Sequence, residues 1–387
     1  MDAINHVLLE EEDAKWESLK RIKRVREDIF CTLRRLDVLQ PFIEDPTITE
    51  IMVNGAEHIF VERNGAVKKA VVRFESKEKL QDVIQQIVAD CNRVVNAASP
   101  IVDARLKDGS RVNIVMEPVA LNGPIVTIRR FPSQPITVKD LIEKHSITME
   151  AAEFLKKLVQ AKYNILISGG TGSGKTTFLN VMSGFIAPEE RVVTIEDSAE
   201  LQLQGLENLV RLETRNGNQE GCGEITIRDL IRTSLRMRPD RIVVGEVRGA
   251  EAVDMLQALN TGHDGSMSTA HANSAADLLF RLENMVMMGT DIPLQAVRRQ
   301  IASGVDVIVH VSRMRDKSRR VEEIREILGY EEKGIRTGLL YVFEEESVDE
   351  KGRIIGELKK KGDLIHVQKL QKSGLADVHE CKSSGTD

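Results

Sequence analysis

Hydrophobic positions near the start of the chain recur with a helical period. Trp16, Leu19, Ile22, Val25, Ile29, Leu33 and Leu36 fall three or four residues apart, with Lys and Arg between them. That spacing predicts an amphipathic helix, which Pro41 stops, in a helical extension over 1–40. The interleaved cations suit contact with anionic lipid, although a solvated face opposite a packed one explains them more simply. The period then shortens. β-like runs at 51–53, 58–61, 70–74, 111–115 and 125–130 are punctuated by the turn dipeptides Asn54-Gly55, Asn64-Gly65, Asp108-Gly109 and Asn122-Gly123. One helical stretch, 77–92, interrupts them, so a small α+β domain is predicted over 41–131. Phe131-Pro132-Ser133-Gln134-Pro135 breaks the pattern and opens a predicted linker at 132–140.

From about residue 140 onward apolar strands alternate with helices. Strands are predicted at 164–168, 191–195, 241–244 and 305–311, and helices at 176–185, 227–237, 250–260 and 275–288. Such alternation means an α/β domain, over 141–370, with a mostly parallel sheet covered by helices. The last residues, 371–387, carry few apolar anchors and are expected to form a flexible tail.

Composition narrows the class. At 387 residues the chain suits two domains, or one large domain with an extension, and 41% hydrophobic with 29% charged residues excludes wholesale disorder. The 54 Lys and Arg against 60 Asp and Glu, a net charge of -6, argue against a general polyanion binder, so no specific nucleic acid is expected. Cys31, Cys91, Cys222 and Cys381 are far apart and form no C-x-x-C, which excludes a zinc ribbon or disulfide scaffold and fits a reducing compartment. No apolar run approaches the roughly 18 residues of a membrane span, and the charged first thirty residues hold no signal core. Membrane contact, if any, is expected to be peripheral.

The chemistry is concentrated after residue 168. Gly169-Gly170-Thr171-Gly172-Ser173-Gly174-Lys175-Thr176 fits G-x-x-x-x-G-K-[ST], with a β run before it and a helix after. Backbone amides of such a loop converge on phosphate oxygens, the helix N-terminus favours the anion, the Lys reaches the β/γ-phosphates and the Thr hydroxyl ligates Mg²⁺. The nucleotide-binding set is Gly170, Thr171, Gly172, Ser173, Gly174, Lys175, Thr176 and Thr177, for ATP with Mg²⁺.

A phosphate loop needs acids for the metal and the attacking water. Glu196 and Glu246 end predicted strands, where ligands of open α/β sheets bind. Glu200, a turn beyond Glu196, is explained equally well as a solvated helix start. His263 and His271 each read most simply, from the residues alone, as satisfied structural histidines. Arg228, Arg232 and Arg236 recur at i, i+4 and i+8 with few acids on their own helix, which points to intersubunit or phosphate contact. Arg105, Arg111, Arg129 and Arg130 flank turns of the N-terminal domain.

The order of these boxes resembles the type II/IV secretion ATPases: the phosphate loop, then TIEDSAELQL at 194–203, LRMRPDRIVVGEVRG at 235–249 and NTGHDGSMSTAHANS at 260–274. The second and third boxes, with TEIMVNGAEHIFVERNG and LKDGSRVNIV…TIRRF, are most similar to the CpaF-like branch that powers tight-adherence (Flp-type) pili. The resemblance runs from about residue 45 to 345. It implies a RecA-like P-loop motor domain and a homohexameric ring, cytoplasmic and peripheral on the inner face of the cytoplasmic membrane, driving platform membrane proteins. It also implies residue roles: Glu196 the general base, Glu246 holding Mg²⁺ through water, His271 a sensor of the γ-phosphate. Arg105, Arg111, Arg129 and Arg130 match the family's phosphate-directed N-terminal arginines, Arg105 and Arg129 joining the catalytic set. Ser198 stands where many relatives have Pro, which agrees with the CpaF-like branch and argues against a pilus-retraction motor. The competing functions are a type IV secretion substrate-loading ATPase, a nucleotide-dependent scaffold with little turnover and, least, a small-molecule kinase.

Overall fold

The computed structural model describes residues 36–376 except 64, 92, 107, 131–135, 216, 218–222 and 333. The helix expected near the N-terminus lies outside them up to residue 35, as do the expected linker at 132–135 and the expected tail at 377–387. The chain divides into two compact units, Met1–Gln134 and Pro135–Asp387.

The first unit runs α1 (Gln40–Glu44), β1 (Ile48–Asn54), β2 (His58–Arg63), β3 (Ala66–Lys69), α2 (Lys77–Asp90), β4 (Ile101–Arg105), β5 (Arg111–Val115) and β6 (Ile125–Arg129). Pro41, read as a stop, sits in the first turn of α1, where its missing N–H leaves no hydrogen bond unmade. The strands form one antiparallel sheet in the order β3-β2-β1-β6-β5-β4. Alternate residues Ile51, Val53, Ile59, Val112, Ile114, Val126 and Ile128 are buried in one core with Leu80, Ile84 and Ile87 of α2. That alternation leaves the intervening residues on the opposite face. Two expectations change here. The run 70–74 is not a strand, because Val71 and Val72 are exposed and only Phe74 is buried; β3 precedes it. β4 was not expected because its edge position leaves it without buried alternation.

The second unit continues α3 (Val138–Glu143), α4 (Met149–Gln160), β7 (Ile165–Gly169), α5 (Lys175–Ser183), β8 (Val192–Glu196), β9 (Leu209–Glu213), α6 (Ile227–Ser234), β10 (Arg241–Val247), α7 (Ala252–Asn260), β11 (Met267–His271), α8 (Ala275–Gly289), α9 (Leu294–Gly304), β12 (Val307–Arg313), β13 (Arg319–Glu331), β14 (Gly334–Val348), β15 (Ile354–Lys360) and α10 (Gln368–Lys372). Residues 138–140, expected in a linker, are already helical, and 371–372, expected in the tail, belong to α10. The nine-stranded sheet has the order β15-β14-β13-β12-β7-β11-β10-β8-β9. The six strands from β12 to β9 are parallel, as the alternation of strands and helices predicts. β13 to β15 extend the sheet as an antiparallel meander whose charged, half-exposed strands carry a weak apolar signal.

Each face of this sheet is covered. Ile165 and Ile167 of β7 pack with Leu155 and Leu158 of α4 and Leu179 of α5. Leu166, between them, joins Leu256, Leu278, Leu282, Val297 and Ile301 of α7, α8 and α9 on the other side. With both faces buried, the carboxyl edge of the parallel strands is where the chain can present polar groups together.

Candidate nucleotide site

β7 ends at Gly169, and the loop to α5 needs its glycines. Gly172 and Gly174 have φ of 71° and 95°, a region strained for other residues. At Gly169 a Cβ would meet Val311 O at 2.2 Å and Ser173 Oγ at 2.5 Å. α5 starts after Gly174 with no side-chain cap, so its first-turn amides remain available to an anion.

Strand order then sets four groups side by side along the carboxyl edge. Gly169 of β7 is in register with His271 of β11; β10 carries Glu246 next to it, and β8 carries Glu196 beyond. Lys175 Nζ is buried and donates to Gly169 O (3.1 Å) and Gly170 O (3.0 Å), with His271 Nδ1 at 3.2 Å. An ammonium only donates, so Nδ1 accepts, which leaves Nε2 as the protonated nitrogen facing Glu246 Oε1 at 2.9 Å. Burial holds the His271 imidazole below its ordinary pKa, against the opposing pull of Glu246 and with help from Lys175. That favours the neutral ring this tautomer requires. Glu246 Oε2 in turn accepts from Arg248 Nε at 2.8 Å and Nη2 at 2.7 Å.

Despite that 2.9 Å approach, Glu246 Oε1 makes no hydrogen bond among the described residues. Glu196 shares with Glu246 one buried, unpartnered oxygen and differs in the other. Its Oε1 accepts the amides of Glu200 and Leu201, both at 2.7 Å, so the contribution of residue 200 here is its backbone N–H. Its Oε2 is buried with no hydrogen-bond partner among the described residues. Burial pushes the carboxyl up to about 7, outweighing those amides and Arg211. Gly245 makes room for it, since a Cβ there would lie 3.0 Å from Glu196 Cγ. A cleft of about 560 Å³ opens beside the loop, lined by Gly170, Thr171, His271, Asn273, Asp277 and Arg281 among others.

The arginines separate into roles that spacing alone did not distinguish. Arg228 Nε and Arg232 Nε donate to Asp254 Oδ2 (2.6 Å) and Oδ1 (2.8 Å), and Asp254 is 3% exposed. The charge that pointed to an intersubunit or phosphate contact is thus already met by a clamp between α6 and α7, the acid coming from the next helix rather than their own. Arg236 Nη1 donates to Arg232 O at 3.2 Å. Arg130 Nη1 donates to the carbonyls of Phe42, Asp45 and Ile48, tying α1 to the sheet. Arg105, Arg111 and Arg129 instead fall in one cross-strand row, Arg105↔Arg111↔Arg129, continued by Glu50 of β1. His263 Nδ1 is 3.3 Å from Ala258 O, consistent with its structural reading. Arg248 was not anticipated; its position two residues past the strand-terminal Glu246 was the available signal.

An amide-lined loop closing a buried parallel strand, beside a raised, half-satisfied glutamate, defines a P-loop ATPase with a RecA-like sheet. The chain matches the family described as type II/IV secretion system protein over residues 33–366 and belongs to it. It is 37% identical over 293 residues to a putative conjugal transfer protein of Mycobacterium tuberculosis, covering 74% of this chain and 83% of that one. It is 34% identical over 316 residues to the conjugal transfer protein TrbB of Rhizobium radiobacter, covering 80% and 93%. The X-ray structure of the Legionella pneumophila ATPase DotB shares the fold, with a TM-score of 0.54 at 22% identity over 76% of this chain and 80% of that one.

Proposed function

We propose that this ATPase is the Mg²⁺-dependent motor of a pilus-assembly or secretion system, working as a homohexameric ring, and that it belongs to the CpaF-like branch. The observation that carries the chemistry is Glu196: a buried carboxylate with one oxygen held by two amides and the other unpartnered. In that reading Oε2 orients a water for in-line attack on the γ-phosphorus and takes its proton as the bond to the leaving ADP oxygen breaks. Lys175 moves its hydrogen bonds from loop carbonyls to phosphate oxygens, and His271, bridging Lys175 and Glu246, reports whether a γ-phosphate is present.

Thr176 and Glu246 are the residues that would hold Mg²⁺. Among the described residues no group of three His, Cys, Asp or Glu could hold a metal ion by itself. When bound, Mg²⁺ supplies charge neutralisation at the phosphates. One of Arg105, Arg111 and Arg129 is the proposed arginine finger, because these three share a face while Arg130 is committed to backbone carbonyls. The nucleotide cycle would swing the N-terminal domain against the motor domain and so move platform membrane proteins. No helix among the described residues is long and apolar enough to cross a membrane; the resemblance of the sequence boxes carries the reading of peripheral attachment at the cytoplasmic face.

The conjugal-transfer names of the M. tuberculosis and R. radiobacter relatives favour one second reading, a substrate-loading ATPase of a type IV secretion system. Ser198 supports the first. Phosphate release measured against protein concentration tests the motor: it is expected to rise faster than linearly as rings assemble. Release at background with ATP-induced hexamers intact would make the chain a scaffold. Arg105→Ala is expected to keep ATP binding and lose assembled-state turnover; unchanged turnover removes it as the finger.

A further inference from the structure

The phosphate loop has a second flank. Along the sheet, β11, β10 and β8 lie on one side of β7, with His271, Glu246 and Glu196 at their ends; β12 lies on the other. β12 and β13 are joined at 314–318, and the two residues bordering that turn reach the loop. Arg319 Nε donates to Gly172 O at 2.9 Å. Arg319 Cδ lies 3.3 Å from where a Gly174 Cβ would stand, and Arg313 Nη1 lies 3.8 Å from the equivalent point on Gly172.

Arg313 and Arg319 are also direct cross-strand partners. Like charges opposite one another on an antiparallel pair repel. Both side chains are exposed, and among the described residues neither guanidinium has an ion-pair partner. Their neighbours behave otherwise: Arg315 is paired with Glu345, and Arg320 is buried and donates to Ile354 O and Gly356 O. Two uncompensated cations are thus held in repulsion at the rim of a loop built to receive an anion. The charge has a use there that it lacks in the hairpin itself.

We propose that Arg313 and Arg319 form a clamp, supplied by the same subunit, on the phosphates of the bound nucleotide, gripping them from the β12 flank. This rests on the nucleotide site proposed above. Arg319 commits Nε to Gly172 O, which fixes the loop apex, and leaves its terminal nitrogens for phosphate oxygens; Arg313 adds a second guanidinium.

Equilibrium binding of ATP, ADP and AMP to the full chain tests this, comparing Arg313→Ala, Arg319→Ala, Arg319→Gln and Lys175→Ala at low and high salt. Each alanine variant of the pair is expected to lose about tenfold in ATP affinity at low salt, with a smaller loss for AMP, and the deficit should narrow as salt screens the charge. In nucleotide-free melts Arg313→Ala should unfold no earlier than the parent chain, since a repulsion is removed, while the rise in Tm on adding ATP shrinks. Variants that bind ATP within about twofold of a parent chain that itself binds would overturn the clamp. So would a loss in Arg319→Ala that is equal for all three nucleotides and restored by Arg319→Gln, because that is the signature of a residue that only shapes the loop. A parent chain with no ATP affinity removes the nucleotide site, and the clamp with it.

Discussion

The two ends of β8 carry two buried glutamates with opposite fates. Glu190 precedes the strand and Glu196 ends it. Burial raises the pKa of each, yet Glu190 is held below its ordinary value because Arg241 and Lys162 outweigh that burial. Arg241, fully buried, meets it with two bonds, Nε to Oε2 at 2.9 Å and Nη2 to Oε1 at 2.8 Å, and Nη1 donates to Val159 O and Gly265 O. Glu196 has no such cation and keeps one oxygen unpartnered. The carboxylate at the amino edge of the sheet is neutralised by its arginine; the one at the carboxyl edge keeps a raised pKa and an unpartnered oxygen. Burial alone therefore does not single out a candidate base, whereas burial without an ion pair does, which is the ground for the role proposed for Glu196.

Breaking the two ends should have different consequences. The largest effect expected is on turnover: Glu196→Gln should lower phosphate release by about 10²–10⁴ with ATP binding retained. Normal release in that variant would transfer the base to Glu246. Turnover of the parent chain should climb as pH rises through about 7, since the base must be ionised, and a rate profile flat across that range would contradict the assignment. At the other end, Arg241→Ala strands the Glu190 charge and should cost about 3–5 kcal/mol in urea unfolding. A loss under about 1 kcal/mol would mean Lys162 alone suffices there.

The smallest effect sharpens the contrast through its sign. The folded pKa of Glu196 lies above its ordinary 4.5, so ionisation is costlier in the folded chain, and the penalty grows from that pH until it saturates above about 7. Glu196→Gln keeps an oxygen for the Glu200 and Leu201 amides and removes the charge. It should stabilise the chain at pH 8 by up to ~3 kcal/mol, with the gain vanishing near pH 4.5. Glu190→Gln, by the same measurement, should destabilise. Two variants moving in the same direction at pH 8 would erase the distinction.

The site was legible in the chain where one residue type at one position serves one geometry. The glycines of 169–174 permit the loop, and acids closing β8 and β10 are delivered to one edge because parallel strands all point the same way. His271 was ambiguous from its surroundings in sequence; its bridge between Lys175 and Glu246 appears only when β11 inserts between β7 and β10. Arg228 and Arg232 look unneutralised along their own helix because their acid, Asp254, is supplied by another. β4 and the β13–β15 meander escaped because edge and half-exposed strands lack the buried alternation that identifies a strand.

Short-range covalent order encodes a phosphate loop between strand and helix, acids at strand ends, alternating apolar runs and the turns that separate them. Tertiary structure alone decided which charges find partners. Arg241 with Glu190 and Arg228 and Arg232 with Asp254, across 22 to 51 residues of chain, and Glu196 with no ion-pair partner among the described residues are outcomes of strand order and helix packing. The physical reason is that electrostatic and hydrogen-bond energies fall off over a few ångströms, whereas separation along the chain says little about distance in space once strands from different parts of it are interleaved in one sheet.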